Sequence, residues 1–65
     1  MKLNKYNFDL IRAKRCMQVK DIAVAAEVST VTIQNGYKRD IAPECIGKIA
    51  KALGVDVEEI IEKEG

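Results

Sequence analysis

"DIAVAAEVSTVTIQNGYKR", residues 21–39, decides the fold. It opens as an alanine-rich helical pattern with Ile22, Ala23 and Ala26 on one face. Val28-Ser29 interrupts it, and a second short helical pattern starts at once. Ser29 is placed as the N-cap of that second helix, where its hydroxyl can accept a main-chain N–H of the first turn. Two short helices joined by a three-residue turn cross steeply, and a steep crossing holds the second helix proud of the body. The crossing needs a small residue on the first helix, which Ala23 supplies. Apolar groups must lock the corner, and Ile22, Ala26, Val28 and Ile33 do so. Ala26 ends the first helix while Val28 turns inward. Glu27 between them is therefore expected in the left-handed region, which costs a residue with a Cβ roughly 1–2 kcal/mol.

Helical spacing recurs on both sides of this stretch, with no period-2 alternation and no hairpin turn. Helix 1 is expected over about Lys5 to Arg15, with Phe8 and Ile11 inward, Leu10 beside them, and Arg12, Lys14 and Arg15 suiting the dipole at its end. Helix 2 runs from about Gln18 to Ala26. Helix 3 runs from the Ser29 cap to about Asn35, where Asn35-Gly36 reads as a stop. "YKRDIA" is then a loop. Helix 4 has Pro43 at its first position and Gly54 just past its end, with Ile46, Ile49, Ala50 and Leu53 inward. Helix 5 opens on the capping-box pattern Asp56-x-x-Glu59, buries Val57, Ile60 and Ile61, and frays in "EKEG". The expectation is an all-α, five-helix domain over residues 1–65, with the two-helix motif at about 18–36.

A 65-residue chain makes one domain and buries only about 60% of its unfolded surface, too little for a cleft with walls of its own. Its three aromatics are Tyr6, Phe8 and Tyr37, so the core is expected to be aliphatic. The net charge of +1 hides an asymmetry. Residues 1–39 carry eight Lys/Arg against three acids, and residues 40–65 carry three against seven. A basic half of +5 beside an acidic half of −4 points to an anionic partner for the first half. Cys16 and Cys45 form no CxxC, and there is no histidine, so no zinc site can be assembled and no cofactor or metal is expected. Two cysteines, read as core or boundary residues, suit a reducing cytoplasm better than a secreted disulfide scaffold. "MKLNKYNFDL" lacks the apolar stretch of a signal peptide, and no run of about 18 apolar residues suggests a membrane span. Without histidine, a nucleophile–base pair or a pocket, an enzyme is not expected.

"IAVAAEVSTVTI" followed by "PECIGKIAKALGV" resembles the phage repressor/Cro-type helix-turn-helix regulators. Their usual pattern has Leu-Ala, a Val-Ser turn and Thr-Ile, then a Pro-Glu start leading into Lys-Ile-Ala-Lys-Ala-Leu-Gly-Val. The resemblance covers Phe8 to Ile61 and implies a five-helix DNA-binding domain. The chain also departs from the pattern. Many members have Gly where it has Glu27, and begin helix 2 with a phosphate-binding Gln where it has Val19, Gln18 being one residue earlier. Most have a large apolar residue at Gly36, and often a Glu at Tyr37 that pairs with the Arg matching Arg12. With Tyr37 there instead, Arg12 is expected to stack on its ring.

With Ile33 pointing inward, Val31 and Asn35 lie about 160° away on either side of the helix. Lys38 would share that face if the helix persisted, and Thr32 and Gln34 flank it. Val31 can contact a thymine methyl, and Asn35 can offer a donor and an acceptor to adenine. Thr30 can reach a base edge or a phosphate. Lys38, Arg39 and the first N–H groups of helices 2 and 3 suit phosphates. Gln18 and Ser29, at the starts of those helices, complete the DNA-binding set. Each has a bland counterpart: a stray surface valine, a capping asparagine, a solvated basic loop. Arg12, Lys14 and Arg15 are read as structural or solvated. Glu58, Glu59, Glu62 and Glu64 would repel DNA, so helix 5 should point away from it and, as the resemblance implies, join two protomers in a weak dimer. The expected function is sequence-specific binding of double-stranded DNA by a small prokaryotic or phage regulator that represses by occluding a promoter. The rival is a protein-interaction module on the same scaffold, an antitoxin-like or anti-repressor partner.

Overall fold

Three of the four helices end the same way, and those ends place the turns. The computed structural model describes residues 1–63 and contains α1 (Lys5–Arg15), α2 (Val19–Ala26), α3 (Thr30–Lys38) and α4 (Pro43–Leu53), then a single 3-10 turn over Val57–Glu59. Glu64, assigned above to the acidic segment, lies outside the described residues. α1, α2 and α4 are followed by left-handed residues: Cys16 (φ 55°), Glu27 (φ 58°) and Gly54 (φ 72°). After each, the next amide reaches back to close the turn: Met17 N–H to the Arg12 carbonyl (3.0 Å), Val28 to Ala23 (3.0 Å) and Val55 to Ala50 (3.1 Å). Met17, Val28 and Val55 all pack against the core. This is the Schellman arrangement, in which a left-handed residue satisfies the last carbonyls and an apolar residue follows.

Only the α4 end uses glycine. Glu27 is left-handed as its neighbours demanded; Cys16 carries the same strain and is exposed rather than a core or boundary residue. Glu27→Gly and Cys16→Gly should each stabilise the domain by about 0.5 kcal/mol, the strain relieved less the freedom glycine adds to the unfolded chain. Urea unfolding measures this, and a loss of stability in either variant would contradict it.

α3 ends differently from the sequence expectation. Asn35-Gly36 does not stop it; the helix continues through Gly36 and Tyr37 to Lys38, so the first two residues of "YKRDIA" are helical rather than loop. Gly36 has no positive φ and is buried. Its missing side chain makes room for Leu3: a Cβ there would lie 2.9 Å from Leu3 Cδ1 and 3.1 Å from Ile41 Cδ1. The glycine serves close approach, not chain reversal.

Among the described residues the fifth helix is absent, and the 3-10 turn Val57–Glu59 stands in its place. Glu59 Oε2 accepts the Asp56 N–H at 2.9 Å, as the capping-box pattern predicts. The turn then stops, because the following backbone is committed elsewhere. Asn4 N–H donates to the Ile60 carbonyl and Glu62 N–H to the Lys2 carbonyl, both at 2.8 Å, flanking an antiparallel bridge between Leu3 and Ile61. Groups paired across the chain cannot continue a helical ladder.

The inward residues expected on α2 and α4 are all buried. They share one core with Phe8, which is fully buried, so the core is not purely aliphatic; the Tyr37 ring packs at 5.9 Å from Phe8. Ile60 is fully buried, whereas Val57 and Ile61 are half-buried.

Arg12 does not stack on Tyr37. Asp9, one turn from each, binds both Lys5 (2.8 Å) and Arg12 (2.7 Å) along α1. Arg12 lies over Phe8 and donates to the Met17 carbonyl at 3.3 Å; Lys5 takes the place over Tyr37. The hydrogen bonds from Lys5 and then Arg12 hold the Asp9 carboxyl below its ordinary 3.8. A lowered pKa means stability that is present above that ordinary value and lost as pH falls through the depressed one. Burial raises the Tyr37 phenol above 10.0, so its contribution is present below that value and lost as pH rises through the raised one. Acid unfolding of wild type and Asp9→Asn checks the first: the two stability curves should converge as pH falls below about 4. A constant gap would show that the Asp9 charge is not involved.

Candidate functional site

α3 puts one face in the core and the opposite face in solvent. Ile33 and Gly36 are buried; Thr30, Val31, Gln34 and Lys38 are exposed; Thr32 and Asn35 are half-buried. Because the helix reaches Lys38, that lysine lies about 140° from Ile33, beside Val31. Val31, Gln34, Asn35 and Lys38 therefore form one stripe with helical spacing, about 10 Å long. Lys38 belongs to the helix and not to a loop. Val31 is 60% exposed and contributes nothing to the core.

The ends of α3 account for the remaining polar residues. Ser29 Oγ accepts the Thr32 N–H at 3.0 Å and pairs with the Thr32 hydroxyl at 2.9 Å, so both side chains are engaged in the cap. Asn35 does not cap the helix, which runs three residues beyond it. Its carbonyl accepts the Arg39 N–H at 2.9 Å, and its Oδ1 faces the Arg39 guanidinium at 3.5 Å. Arg39 is itself extended and exposed. Among the described residues neither Lys38 nor Arg39 makes an ion pair.

Gln18 is the exposed N-cap of α2, and its N–H donates to Asp21 Oδ2 at 2.9 Å. That carboxylate sits where an anion would approach. The start of α2 is thus a poorer phosphate site than expected, while the first turn of α3 carries no acid. Gln18 and the α3 stripe therefore differ in electrostatic setting.

Two residues of this region were not singled out from sequence. Val24, on the outward side of α2, is 79% exposed; its position opposite the inward stripe was the available signal. Leu3, beneath Gly36, is fully buried, and nothing local in "MKLN" marks it. Among the described residues no cluster of His, Cys, Asp and Glu could hold a metal ion, and no helix is long and apolar enough to cross a membrane.

No family model, curated protein or solved structure matches the chain.

Proposed function

We propose that the chain is a sequence-specific double-stranded DNA-binding protein in which α2, the turn Glu27–Ser29 and α3 act as a helix-turn-helix. α3 would enter the major groove and α2 brace it across the backbone. The observation that carries this reading is Val31: an apolar side chain with no packing role, set in a stripe whose other members are two amides and a lysine. Such a stripe offers a methyl contact, donors, acceptors and a cation to a groove lined with base edges and phosphates. The basic half of the chain holds this face, and the acidic segment holds Glu58, Glu59 and Glu62. The role that follows is a small cytoplasmic regulator that represses by occupying a promoter. A weak twofold dimer would match a palindromic operator. With no fifth helix among the described residues, it would use the half-buried Val55, Val57 and Ile61, since Ile60 is already in the core.

The affinity for duplex DNA, measured over a range of salt, tests this reading. Counterion release predicts a linear fall of log K with log salt, at about 0.9 per phosphate contacted. The second reading, a protein-interaction module, draws support from the joint exposure of Val24 and Val31 on neighbouring helices. No duplex binding at low salt would favour it.

A further inference from the structure

α3 lacks the left-handed end that α1, α2 and α4 share, so its last carbonyls need other donors. The N-terminal segment supplies one. Leu3 N–H donates to the Gly36 carbonyl at 2.8 Å, and the Leu3 side chain is fully buried where a side chain at position 36 would lie. Beyond the helix, Ile41 N–H donates to the Met1 carbonyl at 2.7 Å. The other edge of the same segment is tied to the C-terminal segment through Ile60 and Glu62. Residues 1–4 thus sit between the end of α3 and the end of the described chain.

We propose that this segment is a positioning element for the reading stripe, with Leu3 as its anchor. It caps α3 from outside the helix and holds the last turn helical. Local preference points the other way, because Asn35-Gly36 is a stop signal and glycine is a poor helix former. α3 therefore has two competing ends, one at Asn35 and one at Lys38, and docking of Leu3 selects the longer. When the segment lifts, the Gly36 carbonyl loses its donor, the last turn frays, and Lys38 leaves the face it shares with Val31, Gln34 and Asn35. The functional half of the proposal rests on the DNA-binding reading; the structural half does not.

Native-state amide exchange on the full chain tests it, comparing wild type, Leu3→Ala and, as a control for general core loss, Leu53→Ala in α4. Leu3→Ala should speed exchange at Lys38 and Arg39 by at least about tenfold relative to α1 and α4 amides, the signature of local opening, whereas Leu53→Ala should not. Uniform acceleration in Leu3→Ala would overturn the proposal, leaving Leu3 as an ordinary core residue. Should Leu3→Ala fail to fold, Leu3→Val makes the same comparison with a smaller void. In the DNA arm, under conditions where both variants are folded, Leu3→Ala should lose about tenfold in duplex affinity and about one ion of salt slope, and Leu53→Ala neither. Selective exchange without that loss would overturn the functional half. A wild type that binds no duplex would overturn the DNA-binding reading and leave the exchange result standing.

Discussion

Gly36→Leu will destabilise the domain by about 3 kcal/mol, the upper part of the range for overpacking a filled core. The first atom of the new side chain already has no room: a Cβ at position 36 meets Leu3 Cδ1 at 2.9 Å and Leu3 Cγ at 3.2 Å. Leu3 is fully buried and tied by its own amide to Gly36, so it cannot give way without leaving its site. Replacing glycine within a helix gains roughly 1 kcal/mol of propensity, too little to offset the clash. The same substitution made together with Leu3→Ala should recover much of the loss, since the new leucine then fills the volume Leu3 vacates. Urea unfolding of the two singles and the double measures the coupling. A stable Gly36→Leu variant would mean that Leu3 does not occupy that space.

Val31→Ala and Asn35→Ala should each lose about 1–3 kcal/mol on a cognate duplex and much less on random DNA, as lost base contacts do. Both side chains point away from Ile33, and Asn35 does not cap the helix, which runs on to Lys38. Lys38→Ala should instead weaken both duplexes alike and lower the salt slope by about one, because a long cation at the end of the stripe reaches a phosphate strand without distinguishing bases. Titration of the three variants against both duplexes at several salt concentrations separates the roles. Equal weakening of cognate and random DNA by Asn35→Ala would reassign Asn35 to the backbone. If neither Val31 nor Asn35 affects specificity, α3 does not read the sequence.

What the sequence made legible was local. The bounds of α1, the Ser29 cap, the left-handed Glu27 and the inward faces of α2 and α4 all follow from neighbours within one helical turn. The misreadings at Gly36 and at Asp56 share one cause, which is the N-terminal segment. Gly36 looked like a stop because its real partner, Leu3, lies 33 positions earlier in the chain. The capping box at Asp56 looked like the start of a helix because the pairing that diverts Ile60 and Glu62 comes from Lys2 and Asn4. Pairings over such separations leave no periodicity to read. The stripe on α3 was legible as far as Asn35; Lys38 joins it because the helix runs on through Gly36. Arg12 was matched to the wrong ring because Asp9, one turn away, draws both cations along α1.

Selection of bound duplexes from a random oligonucleotide pool at low salt tests the central claim most directly. A helix-turn-helix that reads bases through Val31 and Asn35 predicts enrichment of a short shared sequence by wild type, with altered or lost enrichment by Val31→Ala and Asn35→Ala. A pool that wild type leaves without any enriched sequence would contradict it.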